Sequence, residues 1–116
     1  MTLQDFYEQV GGDYNSVLTR LIDEEHAIKY VKMFVQDGCF KESLHALDQE
    51  NWKVAFRNVH SVKGMCATLG FVKLFDASYI LCEELRNGKP EVDISKMVDA
   101  FKKEYEATLE AIKGLE

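Results

Sequence analysis

Proline is nearly missing from this chain: Pro90 stands alone among 116 residues. Helix breakers are otherwise glycines at intervals, Gly11-Gly12, Gly38, Gly70 and Gly88, which divide the chain into segments of helical length. Clean apolar–polar alternation ending in hairpin turn chemistry is also lacking, which argues against strands. Cysteine is scarce and odd in number. Cys39, Cys66 and Cys82 never form a C-x-x-C pair, which argues against a disulfide framework or a zinc site and suits a reducing cytoplasm. Basic charge is in deficit, with 14 Lys and Arg against 20 Asp and Glu for a net −6. A nucleic-acid binder would show the opposite balance. No run approaches the ~18 apolar residues of a membrane span. The start, Met1-Thr2-Leu3-Gln4-Asp5, lacks both the basic residues and the apolar run of a secretory signal. The expectation is a soluble, cytoplasmic protein with no nucleic-acid or membrane partner.

What is present is helical periodicity. Hydrophobic residues make up 47% of the chain, enough for one domain spanning residues 1–116 to bury a core. Leu3, Phe6, Tyr7 and Val10 share one face before Gly11-Gly12, and Val17, Leu18, Leu21 and Ile22 repeat the pattern. Asp23 can cap a third helix whose stripe is Ile28, Val31, Phe34 and Val35, with Gly38 to end it. Phe40, Leu44 and Leu47 mark a fourth. Asn51 can cap a long helix from Trp52 to Leu69, with Trp52, Ala55, Phe56, Val59, Val62, Cys66 and Leu69 on its core stripe and Gly70 as a left-handed terminator. Phe71, Leu74, Ser78, Leu81 and Leu85 form the next stripe. Asp93 can cap the last, which runs through Ile94, Phe101 and Tyr105 to Ile112. Short links make neighbouring helices antiparallel. These signals predict an all-α fold. They describe an up-and-down antiparallel four-helix bundle over about residues 39–114, with additional short N-terminal helices capping it over about 2–37.

One segment carries more than packing: Arg57-Asn58-Val59-His60-Ser61-Val62-Lys63-Gly64-Met65-Cys66-Ala67-Thr68-Leu69-Gly70. With Val59 at the centre of the stripe, His60 lies about 100° round the helix, at the edge of the buried arc. Lys63 falls on its core side, where a long stem can lie along apolar surface while the ammonium reaches out. Lys53, Arg57 and Gly64 fall on the solvent side. A glycine in a helix interior costs ~0.5–1 kcal/mol relative to alanine. Helical side chains lean back over the preceding turn, so a large residue at position 64 would roof the imidazole and glycine leaves it open. An accessible imidazole with a cation beside it suits transient attachment of a phosphoryl group.

His60-Ser61-Val62-Lys63-Gly64, followed by small residues and Leu69-Gly70, resembles the H-x-x-K-G signature of histidine phosphotransfer (HPt) domains, and Asn51-Trp52 resembles the usual start of that helix. The resemblance implies phosphorelay signalling. His60 would be the phosphoacceptor, through Nε2, with Lys63 neutralising the phosphate and Gly64 giving access. Response-regulator receiver domains, and a sensor or hybrid histidine kinase, would be the partners. A receiver would dock around His60, supplying its phosphoaspartate and its Mg²⁺, and the phosphoryl group would pass in line to neutral imidazole. No cofactor or metal is expected in this chain itself. Lys53 and Arg57, with Phe56 and Ala67, are further candidates for receiver docking. The module is expected to be free-standing and monomeric.

Enzyme readings lack their parts. There is no Walker-type loop, no kinase glycine loop and no G-x-S-x-G elbow, so the chain is not expected to phosphorylate itself from ATP. A helical adaptor that binds a receiver or another signalling protein without taking phosphate is the main rival. A metal or haem bundle is disfavoured because inward-facing His/Glu pairs are absent. Glu24-Glu25-His26 reads as a helix start rather than a metal site, and His26 and His45 as ordinary residues.

Overall fold

A computed structural model describes residues 1–115. Seven helices follow one another among these residues: α1 (Leu3–Val10), α2 (Tyr14–Leu21), α3 (Glu24–Gln36), α4 (Cys39–Asp48), α5 (Trp52–Leu69), α6 (Val72–Leu85) and α7 (Ser95–Lys113). They form an elongated body of 41 × 21 × 21 Å. No strand occurs among the described residues, and no helix there is long and apolar enough to cross a membrane. The fold is the all-α helical bundle that the periodicity predicts.

Local chemistry sets most of the helix ends. Thr2 and Asp5 form a reciprocal capping box at the start of α1. Asp13 and Asp23 accept backbone N–H bonds at the starts of α2 and α3. The Asn51 side chain accepts from Val54 N–H at 3.4 Å to open α5, and Gly70 closes it with φ +77°. Two boundaries depart from expectation. Gly38 does not end α3, which stops at Gln36 with Asp37 extended; Gly38 instead precedes α4. Asp93 sits one position before the N-cap of α7, yet its carboxylate still takes Ser95 N–H at 2.9 Å.

Helix α5 packs along both α4 and α6, and α6 along α7. Phe40 of α4 closes the bundle by stacking on Tyr105 of α7, ring centroids 3.6 Å apart, and by meeting Phe101 at 5.2 Å. Helices α1 to α3 cover one end. There a train of ring contacts runs from Phe6 to Phe71 (5.7 Å), Phe71 to Phe34 (5.1 Å) and Phe34 to Tyr105 (5.6 Å), joining the short helices to the bundle core.

The α1–α2 turn is clamped to the end of α5. A Cβ on Gly12 would lie 2.2 Å from the Gly70 carbonyl oxygen, so only glycine lets the two turns touch. Arg20 of α2 reinforces this contact, its Nε donating to the Thr68 carbonyl at 3.1 Å.

Most stripe residues are buried as expected, but Ile22 and Val35 are not. Ile22 is 76% exposed. Its backbone has φ 80° and ψ −61°, and Asp23 N–H bonds to the Leu21 carbonyl across it at 3.0 Å. That is the rare, strained γ-turn. The turn reverses the chain between α2 and α3 and throws Ile22 outward, which periodicity cannot foresee.

Candidate functional site

The core stripe of α5 fixes the rotation of that helix. Ala55, Val59, Val62, Cys66 and Leu69 are buried, and the buried Asn58 amide is satisfied by the Val54 carbonyl at 3.1 Å. With that face turned inward, His60 stands exposed at mid-helix. Its ring lies 5.7 Å from that of Phe56, one turn earlier and half-buried, at a 34° tilt.

Gly64 lies one turn beyond His60 and is exposed. A Cβ there would meet nothing within 4 Å. No neighbour requires glycine at this position, so its helix-propensity penalty has no packing explanation.

Lys63 is half-buried, its stem lying along the α5–α6 seam. Its Nζ sits 5.5 Å from the centroid of Tyr79 on α6, a cation–π geometry. The ammonium therefore rests on an aromatic ring rather than reaching free into solvent. Arg57 and Lys53 are exposed on the solvent side of α5. Ala67 is exposed on the same helix, beside a shallow hollow that also takes in Asp13, Arg20 and Phe75.

Three features of this face leave no sign in the helix stripes. Arg86, just past α6, holds its guanidinium 5.2 Å from the centroid of Phe56. Glu83 grips Arg86 through two bonds, at 2.7 and 3.3 Å. That grip, aided by the Lys63 charge, holds the Glu83 carboxyl below its ordinary range. Beyond Gly64, a groove of about 610 Å³ opens between α3 and α5, with Leu21, Met33, Phe34 and Met65 among its walls and Ile22 on its rim. The signal for Ile22 and Met33 is their failure to be buried, at 76% and 55% exposure, which no stripe reports.

The three cysteines are free, and Cys66 and Cys82 are buried, the first with its thiol pushed up to about 12 by burial. His26 is fastened to the cap residue Asp23 at 2.8 Å. Among the described residues, no group of three or more His, Cys, Asp or Glu is placed to hold a metal ion.

A mid-helix histidine thus stands open on one side of the bundle, with a lysine and an uncovered glycine on the next turn of the same helix. The family model of the Hpt domain matches residues 29–114. The chain belongs to the Hpt domain family, whose members carry phosphoryl groups in phosphorelays and work with receiver domains and histidine kinases. Comparisons with curated proteins and with solved structures return no match.

Proposed function

We propose that this chain is a phosphorelay intermediate that accepts a phosphoryl group on His60 Nε2 from the phosphoaspartate of a receiver domain and passes it to a second receiver. The observation that carries this reading is the pairing of an exposed His60 with a Gly64 that no packing contact requires. The imidazole nitrogen attacks phosphorus, a P–N bond forms, and the acyl phosphate P–O bond breaks. The electron pair leaves on the receiver's aspartate. Lys63, one turn after His60, leaves the Tyr79 ring for the phosphoryl oxygens and offsets their charge. The receiver brings its own divalent ion, so this chain contributes the positioned nucleophile, and transfer needs no ATP-binding machinery here.

The docking face extends from His60 and Gly64 into the apolar groove. Ile22 fits this reading: a β-branched residue held in a strained turn and exposed is poor for stability alone, and strain of this kind collects at functional contacts. An apolar helix of the receiver laid in the groove would cover Ile22 and Met33, with Lys53 and Arg57 meeting acidic groups at the margin. Lys53, Arg57, Phe56 and Ala67 all stand on α5 within reach of a partner centred on His60.

The test is intact mass after incubation with phosphoramidate and with phosphorylated receivers, alongside His60→Gln. One acid-labile phosphoryl adduct, lost in the variant, is expected. No adduct from either donor, with receiver binding intact, would establish the non-phosphorylated adaptor instead.

A further inference from the structure

The α5–α6 seam places more around His60 than the motif supplies. Two contacts fix the antiparallel register of these helices: Phe56 under Arg86, and Lys63 over Tyr79. His60 lies one turn after Phe56 and one before Lys63. Glu83 lies one turn before Arg86 and one after Tyr79. His60 and Glu83 are therefore level across the seam, with Lys63 on one side and Arg86 on the other. The Lys63 charge adds to the Arg86 grip in holding the Glu83 carboxyl below its ordinary range, in keeping with a cation on either side of it along the seam.

A carboxylate level with a phosphoacceptor opposes the incoming charge. A phosphoryl dianion on His60 would repel Glu83 and attract the guanidinium Glu83 now holds. Arg86 has the means to respond. It is exposed, tied by an ion pair open to water, and rests on the Phe56 ring that itself touches the His60 ring. Such surface pairs are weak and readily exchanged. A phosphoryl group offers more charge and more acceptor oxygens than a carboxylate, and a guanidinium pairs with it bidentately.

We propose that Arg86 is a second phosphate-neutralising cation and that Glu83 is its resting counterion, the pair forming a latch that opens when His60 is phosphorylated. In the unphosphorylated protein Glu83 keeps Arg86 over Phe56. In the phosphorylated protein Arg86 leaves Glu83 for the phosphoryl oxygens, and the freed Glu83 turns to solvent. Glu83 acts through Arg86 and is a positioning residue; it sets how readily the second cation is released and hence the lifetime of the phosphohistidine.

This proposal rests on phosphorylation of His60, and its test separates the two. The full chain is phosphorylated with phosphoramidate, which needs no docking surface, and the loss of the adduct is followed by intact mass. A wild-type chain that takes no phosphate from phosphoramidate or from a phosphorylated receiver overturns the phosphoacceptor reading itself. If the wild type is labelled, Arg86→Gln is expected to shorten the adduct's half-life by roughly three- to tenfold, as loss of a charge-assisted contact at an exposed site warrants. Arg86→Lys should recover much of it, since charge is kept and only the fork is lost. Glu83→Gln should lengthen the half-life by about two- to fivefold, and that gain should vanish in the Glu83→Gln/Arg86→Gln double variant. A general loss of structure would not produce opposite effects from the two halves of one ion pair, and circular dichroism checks that each variant folds. Half-lives unchanged within about twofold in Arg86→Gln, or a Glu83→Gln effect that persists without Arg86, would overturn the latch.

Discussion

Replacing Gly64 should move stability and phosphotransfer in opposite directions. The position is a helix interior with an ordinary backbone, and a Cβ would meet no atom within 4 Å. Alanine there therefore carries no clash penalty and gains the full propensity difference of about 0.5–1 kcal/mol. Part of that gain comes from a less disordered unfolded chain. For a domain of this size the shift in Tm is about +2 to +6 °C. Leucine is nearly as good a helix former, and its extra atoms lean back over the turn that holds His60. Gly64→Ala should raise Tm and reduce acceptance from a phosphorylated receiver modestly. Gly64→Leu should raise Tm comparably and reduce receiver-driven acceptance by more than about tenfold, the loss expected when reacting atoms are displaced by an ångström or more. Phosphoramidate, being small, should be less affected than the receiver. Thermal unfolding by circular dichroism and single-turnover transfer measured by intact mass report the two quantities. A fall in Tm would mean that glycine serves packing, and unimpaired transfer in Gly64→Leu would refute the role of access.

Three further outcomes follow from the geometry. Ile22→Gly should raise Tm, because glycine adopts the positive φ at that turn freely, and should weaken receiver binding while leaving phosphoramidate labelling intact; calorimetric titration of a receiver checks it. Gly12→Ala should lower stability by about 1–3 kcal/mol, since its Cβ would press on the Gly70 carbonyl and backbone must shift, and urea unfolding measures this. Tyr7→Phe should stabilise by about 1 kcal/mol at neutral pH, because the Tyr7 hydroxyl is buried without a hydrogen-bond partner. Burial also pushes that phenol up to about 12. The folded-state value lies above the unfolded value of about 10, so the wild type loses stability as pH rises between these limits, and the Phe variant escapes that loss, its advantage widening by roughly 2–3 kcal/mol. An advantage that stays constant between pH 10 and 12 would refute the burial effect on Tyr7.

The sequence was most informative where one helix carried every signal at once. Asn51, the stripe from Ala55 to Leu69 and Gly70 state a cap, a face and a stop, and α5 has those bounds. The mutual placement of His60, Lys63 and Gly64 can be read from the sequence because it lies within one helix and follows from 3.6 residues per turn. Arg86 and Glu83 belong to the same face only through the register of α5 against α6, which depends on how two surfaces interlock and leaves no mark on either helix alone. Spacing alone puts Ile22 in the core because periodicity assumes the helix continues; a single positive φ at the end of α2 breaks that phase. The groove beside Gly64 escaped for a similar reason, since a concavity is a property of two helices held apart.

The train of rings from Phe6 through Phe71 and Phe34 to Tyr105 has a consequence for cooperativity. Short helices at a chain terminus ordinarily fray, and their amides exchange with solvent through openings that leave the rest of a protein intact. Here α1 cannot lift away without uncovering Phe71, the residue on which α6 begins, or parting it from Phe34. Opening the end of the molecule therefore means opening its middle. Amide protons in α1 should exchange at rates approaching those of α5, and the whole chain should unfold in one transition. Phe34 is also a wall of the apolar groove, so a partner pressed into that groove leans on the same rings that hold the molecule together and slows exchange well beyond its own footprint.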